Sequence, residues 1–257
     1  VLCTVNSETK FYPTEAANMT QYKIIDGMLT PPDGLSVGGN LDLRGTAITA
    51  LPDGLSVGGD LYLSHTPITA LPDGLSVGGG LYLSHTPITA LPDGLSVGGA
   101  LYLGHTLITA LPDGLCVGGD LDLSDTAITA LPDGLSVGGN LDLSDTPITA
   151  LPENCRLGGK RISDAPIIPD IDRAVYAAAS QPGALDMRRW HCGTSHCRAG
   201  WIVTLAGEAG KRLEIDTGST ANAAMLIYAA SAPGQPIPDF YCDNEAALAD
   251  MKTRAGR

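Results

Sequence analysis

The chain has 257 residues, a formal charge of −13 and only 5% aromatic residues. That length allows two ordinary domains, and the scarcity of Phe, Tyr and Trp excludes a core built on aromatic side chains. The charge is uneven: residues 31–150 hold thirteen Asp, no Glu and a single Lys or Arg, Arg44, whereas 151–257 balance twelve acids with twelve bases. So acidic a segment repels phosphate backbones, which excludes nucleic-acid binding through it and favours a basic or mixed protein surface, or a divalent cation.

The chain opens Val1-Leu2-Cys3-Thr4, without an initiator Met and without a basic-then-apolar signal, so a soluble protein with an upstream piece removed is expected. No stretch reaches membrane-spanning length. Residues 1–30 read as an N-terminal cap, with Tyr22, Ile24 and Ile25 as a strand-like cluster. Met28, twenty residues before Ile48, suggests a degenerate first coil. Repeat arrays need such an end piece because an open terminal coil would expose its core.

From Pro31 a twenty-residue unit takes over, seen at 51–70 as Leu-Pro-Asp-Gly-Leu-Ser-Val-Gly-Gly-Asp-Leu-Tyr-Leu-Ser-His-Thr-Pro-Ile-Thr-Ala, and it returns from Leu71, Leu91, Leu111 and Leu131. One unit is too short to bury its own apolar residues, so units must stack. Within it, Leu61-Tyr62-Leu63 predicts a short strand with the leucines inward and Tyr62 outward. Ile68 and Leu71 turn inward, Pro72-Asp73-Gly74 makes a corner, and Leu75 and Val77 form the return side. Gly78-Gly79 then lets the backbone bend into the next strand.

The pattern Leu-x-Leu-x-x-Thr-x-Ile-Thr-x-Leu-Pro-x-x-Leu resembles a leucine-rich repeat, closest to the short bacterial class that carries Leu-Pro after the strand. The resemblance covers roughly residues 31–165 and implies an α/β repeat: a right-handed solenoid of short parallel strands, about seven coils long. Thr46, Thr66, Thr86, Thr106, Thr126 and Thr146 stand where that family has Asn, so their hydroxyls must satisfy turn backbone groups. The Val-Gly-Gly segment is richer in glycine than the family pattern. Residues 151–257 do not resemble the ubiquitin-ligase domain that follows such repeats in some bacterial effectors, and that activity is not carried over.

The array decays at 151–159, and Pro166 and Pro169 end the register. Residues 166–257 predict a small helical domain with four helices: 171–179 capped by Asp170, about 196–206 capped by Thr194 or Ser195, one following Ser219 or Thr220 to 229, and one from 244 to about 253 behind Asp243.

Outward columns on the repeats are the first candidate site. Tyr62, Tyr82 and Tyr102 should stack on adjacent strands ~4.8 Å apart, flanked by Asp42 on one side and by Asp122 and Asp142 on the other. His65, His85 and His105 form a parallel column that changes to Asp125 and Asp145. A solvated row of rings, a metal site or a pH sensor would each account for it. The face reads as an aromatic patch with acidic ends, suited to a protein partner; identical side chains carried along by duplication are the alternative. The Asp column in the corners, from Asp33 to Asp133, is expected to bond its own turn backbones or to hold calcium between neighbouring carboxylates.

The second candidate is Trp190-His191-Cys192-Gly193-Thr194-Ser195-His196-Cys197-Arg198-Ala199-Gly200-Trp201. His191, Cys192, His196 and Cys197, with the distant Cys242, could ligate zinc. Alternatively Cys197, near a predicted helix N-terminus that would lower its pKa, could act as a nucleophile with His191 or His196 as base. A Cys192–Cys197 disulfide, or one to Cys242, is a third possibility, and buried thiols beside two anchoring Trp residues a fourth. This stretch is similar to parts of uncharacterised bacterial and phage proteins, which implies an origin but no activity. Cys116 replaces the serine of the other repeats and is expected to be an inert thiol. The leading expectation is a non-catalytic binding or structural protein without a cofactor, either a delivered effector or a surface or particle component. The rival is a zinc-binding or thiol-dependent module targeted by the repeats.

Overall fold

The computed structural model describes residues 23–30, 34–188, 191–192 and 195–256. Tyr22, Asp33 and Trp190 lie outside the described residues, as do Thr194 and the first part of the expected cap. The chain forms two compact units, 1–148 and 149–257.

The first unit is a parallel-strand solenoid with a twenty-residue turn. Strands Leu41–Asp42, Leu61–Tyr62, Leu81–Tyr82, Leu101–Tyr102, Leu121–Asp122 and Leu141–Asp142 pair in that order, each residue facing the one twenty positions on. A second parallel sheet was not foreseen. Ser36–Val37, Ser56–Val57, Ser76–Val77, Ser96–Val97, Cys116–Val117 and Ser136–Val137 pair in the same way on the return side. The coil thus carries two strands, in contrast to the strand plus helix or 3-10 segment of leucine-rich repeats.

The two sheets share one core. Leu61, Leu63, Ile68, Leu71, Leu75 and Val77 are all buried, and the coils that start at Leu41, Leu81, Leu101 and Leu121 repeat the set. Each such side chain gains about 1.5–3 kcal/mol on leaving water. The buried threonines behave as their position demands: Thr66, Thr86, Thr106 and Thr126 each donate the hydroxyl to the carbonyl of the Leu three residues earlier, at 2.7 Å. Without that bond a buried hydroxyl would cost about 1–3 kcal/mol.

Glycine serves two different purposes here. In the Pro-Asp-Gly corners it supplies a positive φ, as at Gly94 (φ 73°), with open space where a side chain would be. In Val-Gly-Gly it lets coils touch: a Cβ on Gly58 would come within 2.7 Å of Gly38 O, and the same collision recurs at Gly78, Gly98, Gly118 and Gly138.

Before the first coil, Lys23–Ile25 and Met28–Thr30 form an antiparallel hairpin closed by Asp26-Gly27, both at positive φ. The Asp-Gly pair is the strongest short hairpin signal in the segment. Met28 is exposed and bridges in parallel to Ala50, which joins the hairpin to the first coil.

In the second unit the decayed repeat keeps its corner, with Cys155 N donating to Pro152 O (3.0 Å) as Leu95 N does to Pro92 O (3.3 Å). Among the described residues a short 3-10 turn, Ile162–Asp164, and five α-helices follow: α1 Ile171–Ala179, α2 Arg198–Leu205, α3 Gly207–Thr217, α4 Thr220–Ser231 and α5 Asn244–Ala255. Helix α4 is the centre, buried from Ala221 to Tyr228 without a polar face, and α2 and α3 pack on it. Ser219 and Asp243 cap α4 and α5 as expected. Asp170 occupies the N-cap position of α1 as expected, but in the left-handed region (φ 47°) and without a capping hydrogen bond from its side chain. Helix α2 starts two residues later than expected, capped by Cys197 Sγ accepting from Gly200 N at 3.3 Å. Helix α3 was missed altogether. Gly207 and Gly210 argue against a helix, yet a Cβ at Gly210 would strike Val203 O, so a small residue is what the tight α2–α3 corner requires.

One buried charge ties this unit together. Arg198, 1% exposed, donates to Asp250 Oδ2 (2.8 Å) and to the carbonyls of Asp239 and Ala247. Asp250 also accepts from Arg254 Nε (2.7 Å), and Arg254 donates to the Tyr228 hydroxyl, which itself donates to Asp172. Burial works against ionised Asp250, but Arg254 and Arg198 hold its carboxyl below the usual range.

Gly98→Ala should cost about 3 kcal/mol, because its clash is with backbone that cannot yield. Gly94→Ala should cost about 1–2 kcal/mol, the strain of a left-handed alanine alone. Urea denaturation midpoints would rank them, and equal costs would contradict the two roles. Asp250→Ala leaves Arg198 buried without its carboxylate; Asp250 is itself partly exposed and water replaces some of the loss, so about 2 kcal/mol is expected near neutral pH. Because the folded carboxyl is depressed, that stability is present above the ordinary carboxylate value and is lost as pH falls through the folded one. Wild type and variant should therefore converge in acid.

Candidate functional site

All nine residues singled out on the strand face come together in two columns. The outward position of the first sheet runs Asp42, Tyr62, Tyr82, Tyr102, Asp122, Asp142 in unbroken register. The rings stack, with centroids 4.5 Å apart for Tyr62–Tyr82 and 4.9 Å for Tyr82–Tyr102, and planes inclined by 21° and 15°. Three residues on in each coil, His65 stacks on His85 (4.7 Å) and His85 on His105 (4.5 Å); His105 Nε2 lies 3.4 Å from Asp125 Oδ2.

Parts of this face were not foreseen. Arg44 lies over the outer face of the Tyr62 ring, 4.9 Å from its centroid. Its Nε donates to Asp42 Oδ1 (2.9 Å) and its Nη2 to Asp42 Oδ2 (2.6 Å), a two-pronged pair that holds the Asp42 carboxyl below its ordinary range. Asp60 Oδ2 accepts the Tyr62 hydroxyl (2.9 Å), and that bond, with burial, raises the phenol above its ordinary value. A further column occupies the residue before each strand. Asn40 Oδ1 accepts from Asp60 N (2.8 Å), Asp60 Oδ1 from Gly80 N (2.7 Å) and Asp120 Oδ1 from Asn140 N (2.7 Å). The signal was in the sequence, since that position reads Asn, Asp, Gly, Ala, Asp, Asn.

The histidine column has a conformational explanation that its sequence also carried. His65, His85 and His105 have φ of 57–60°, and Gly45, Asp125 and Asp145 occupy the same left-handed position. Gly, His and Asp are among the residues that tolerate this region. Backbone geometry therefore restricts the residue types that fill the column.

The corner acids differ from expectation. Asp53, Asp73, Asp93, Asp113 and Asp133 are exposed, and their carboxylates form no hydrogen bond to their own turns. Proline and the positive-φ glycine hold the corner without them.

In the second unit, the His/Cys stretch forms a hairpin in which His191 pairs with His196 and Cys192 with Ser195. The side chains of His191 and Cys192 lie outside the described residues. His196 meets Trp201 edge-on at 4.7 Å, and Trp201 Nε1 donates to Ala184 O (3.0 Å). Cys197 is 1% exposed. A lowered pKa was expected from the helix N-terminus; burial instead pushes this thiol up, outweighing its bonds to backbone N–H groups. Burial and the nearby Asp239 also raise Cys242, whose thiol donates to Asp239 O (3.6 Å). Cys197 and Cys242 are outside any disulfide, which corrects the pairings considered for them. Conversely Cys116, expected as an inert thiol, is disulfide-bonded. Among the described residues no three His, Cys, Asp or Glu side chains converge to hold a metal ion.

The strand face is thus the only one of the two candidates in which every proposed residue can be placed. If the histidine column serves the backbone, His85→Asn should stay within about 0.5 kcal/mol of wild type, whereas His85→Val, β-branched at a positive φ, should lose about 1–2 kcal/mol. Thermal or urea unfolding measures both, and equal stabilities would remove the conformational account. Comparisons with protein-family models, curated proteins and solved structures return no match for this chain.

Proposed function

We propose that this chain is a non-catalytic protein-binding or structural repeat protein from a bacterium or phage, its motif similar to the Leu-Pro leucine-rich repeat although each coil carries a second strand, and that it presents its strand face to a basic or mixed protein surface. One observation carries the binding role. Tyr62, Tyr82 and Tyr102 form a continuous, half-buried stack with carboxylates at both ends. Stacked phenols offer large contact area with little side-chain entropy left to lose. The surrounding acids fit a partner of opposite charge and disfavour nucleic acid. Origin, and a role as effector or particle component, rest on the repeat motif and on the likeness of the His/Cys stretch. Among the described residues no helix is long and apolar enough to cross a membrane.

The test is the variant Tyr62→Ala/Tyr82→Ala/Tyr102→Ala, in affinity capture with quantitative mass spectrometry beside wild type. Half-buried Tyr anchors are worth roughly 1–2 kcal/mol each at an interface, so partners held through this face should fall below detection. Capture of the same partners at unchanged yield by a folded triple variant would reject the reading.

A further inference from the structure

The two ends of the tyrosine stack both have an aspartate next in register but differ in what covers the ring. At the first end, the Tyr62 face is covered by the Arg44 guanidinium, which Asp42 grips with both carboxylate oxygens. At the other end, Tyr102 is followed in register by Asp122, but position 124 is Ser where the first coil has Arg44. Asp122 Oδ1 accepts from Ser124 N (2.9 Å), as Asp42 Oδ1 accepts from Arg44 N (3.1 Å). The turn is the same, the carboxylate is the same, and the guanidinium is missing from it. Asp142, one coil on, makes the same bond from Ser144 N (2.9 Å) and accepts the Ser144 hydroxyl as well (2.6 Å).

Three details set the Tyr102 coil apart. Its residue 104 is Gly where neighbouring coils have Ser, and a Cβ there would meet Ser124 Oγ at 2.9 Å and Asp122 Oδ2 at 3.2 Å. Residue 100 is Ala where the Tyr62 coil has Asp60, so among the described residues the Tyr102 hydroxyl lacks the carboxylate partner that Tyr62 has. Burial first, then Asp120, Tyr82 and Asp122, raise its phenol above the ordinary value. Arg44 is the only Lys or Arg between residues 31 and 150, so the array does not itself supply a second guanidinium.

We propose that the Tyr102 end of the stack is a docking site for an arginine side chain of the protein partner. The guanidinium would lie on the outer face of Tyr102 and donate to Asp122, reproducing the arrangement the chain builds for itself from Arg44, Asp42 and Tyr62. A planar fork that stacks on a ring and reaches a carboxylate with two N–H groups is a property of arginine that lysine lacks. The inference rests on the strand face being the binding face and adds the chemistry of its anchor.

The experiment uses the full chain and two labelled nonapeptides, Gly/Ser-rich, with either three Arg or three Lys, followed by fluorescence anisotropy at ~0.1 M salt, where exposed charges beyond ~10 Å are screened. The Arg peptide should bind about tenfold more tightly than the Lys peptide, and Asp122→Asn or Tyr102→Ala should each cancel that preference. Asp113→Asn removes the same charge from a Pro-Asp-Gly corner and should leave it unchanged. Asn at 122 can still accept from Ser124 N, and far-UV circular dichroism checks that each variant is folded. Equal affinity for the two peptides, or an equal effect of Asp113→Asn, would overturn the site in favour of diffuse attraction. An oligomer in sedimentation velocity that dissociates in Asp122→Asn would put the guanidinium on a second copy of this chain and overturn a separate partner. Failure here leaves the triple-tyrosine result standing, so the anchor and the face are judged separately.

Discussion

Backbone hydrogen bonds between successive coils set one spacing for the whole array. Leu41 N, Leu61 N and Leu81 N each reach the carbonyl of the residue before the next strand at 2.8 Å, and Leu43 N and Leu63 N repeat the link two residues on. Parallel strands joined this way lie ~4.8 Å apart, and each residue must accept a near-copy of itself at that distance. Leucine and isoleucine do so by interdigitating inward. At Val-Gly-Gly the coils approach too closely for any side chain, and glycine is the residue that remains.

The same spacing sorts the outward columns by what identical neighbours do to one another. Tyrosine and histidine rings gain from it, because flat faces stack at 4.5–4.9 Å. Carboxylates do not, since two charges that close repel by roughly 1 kcal/mol even in water. In the column before the strands that conflict is avoided. Asp60 and Asp120 each have an Asn on one side and an uncharged residue on the other, and each gives an oxygen to a backbone N–H. Asp122 and Asp142 do adjoin, and each spends an oxygen on its own turn; the exposed corner acids adjoin without such a bond and rely on solvent.

Much of this was legible in the sequence because the repeat averages out local ambiguity. Inward and outward positions, the corners, the threonine hydroxyls and the stacked Tyr and His columns all followed from a period of twenty. The second sheet did not, because Ser-Val is too short a run to signal a strand until six copies pair. Arg44 was visible only as an exception to the acidic composition; its place over Tyr62 depends on how a long side chain folds back. Where the period ends, reading weakens. Helices α4 and α5 had good caps and were found, whereas α3 hides behind two glycines that serve a tight corner. The left-handed turn at residue 85 was encoded in the choice of Gly, His and Asp at its column, a pattern more telling than any single histidine.

The pitch of the aromatic row also limits what can lie along it. Its rings recur every 4.5–4.9 Å, less than the ~5.4 Å turn of a helix and well short of the ~6.6 Å between same-side residues of a strand. A single helix or strand laid lengthwise falls out of step with the phenols within a few rings, so contacts made at one end cannot be repeated down the row. Such a surface acts as a vernier: it rewards a partner that registers at one terminus, and lengthening the array adds area without adding matching positions.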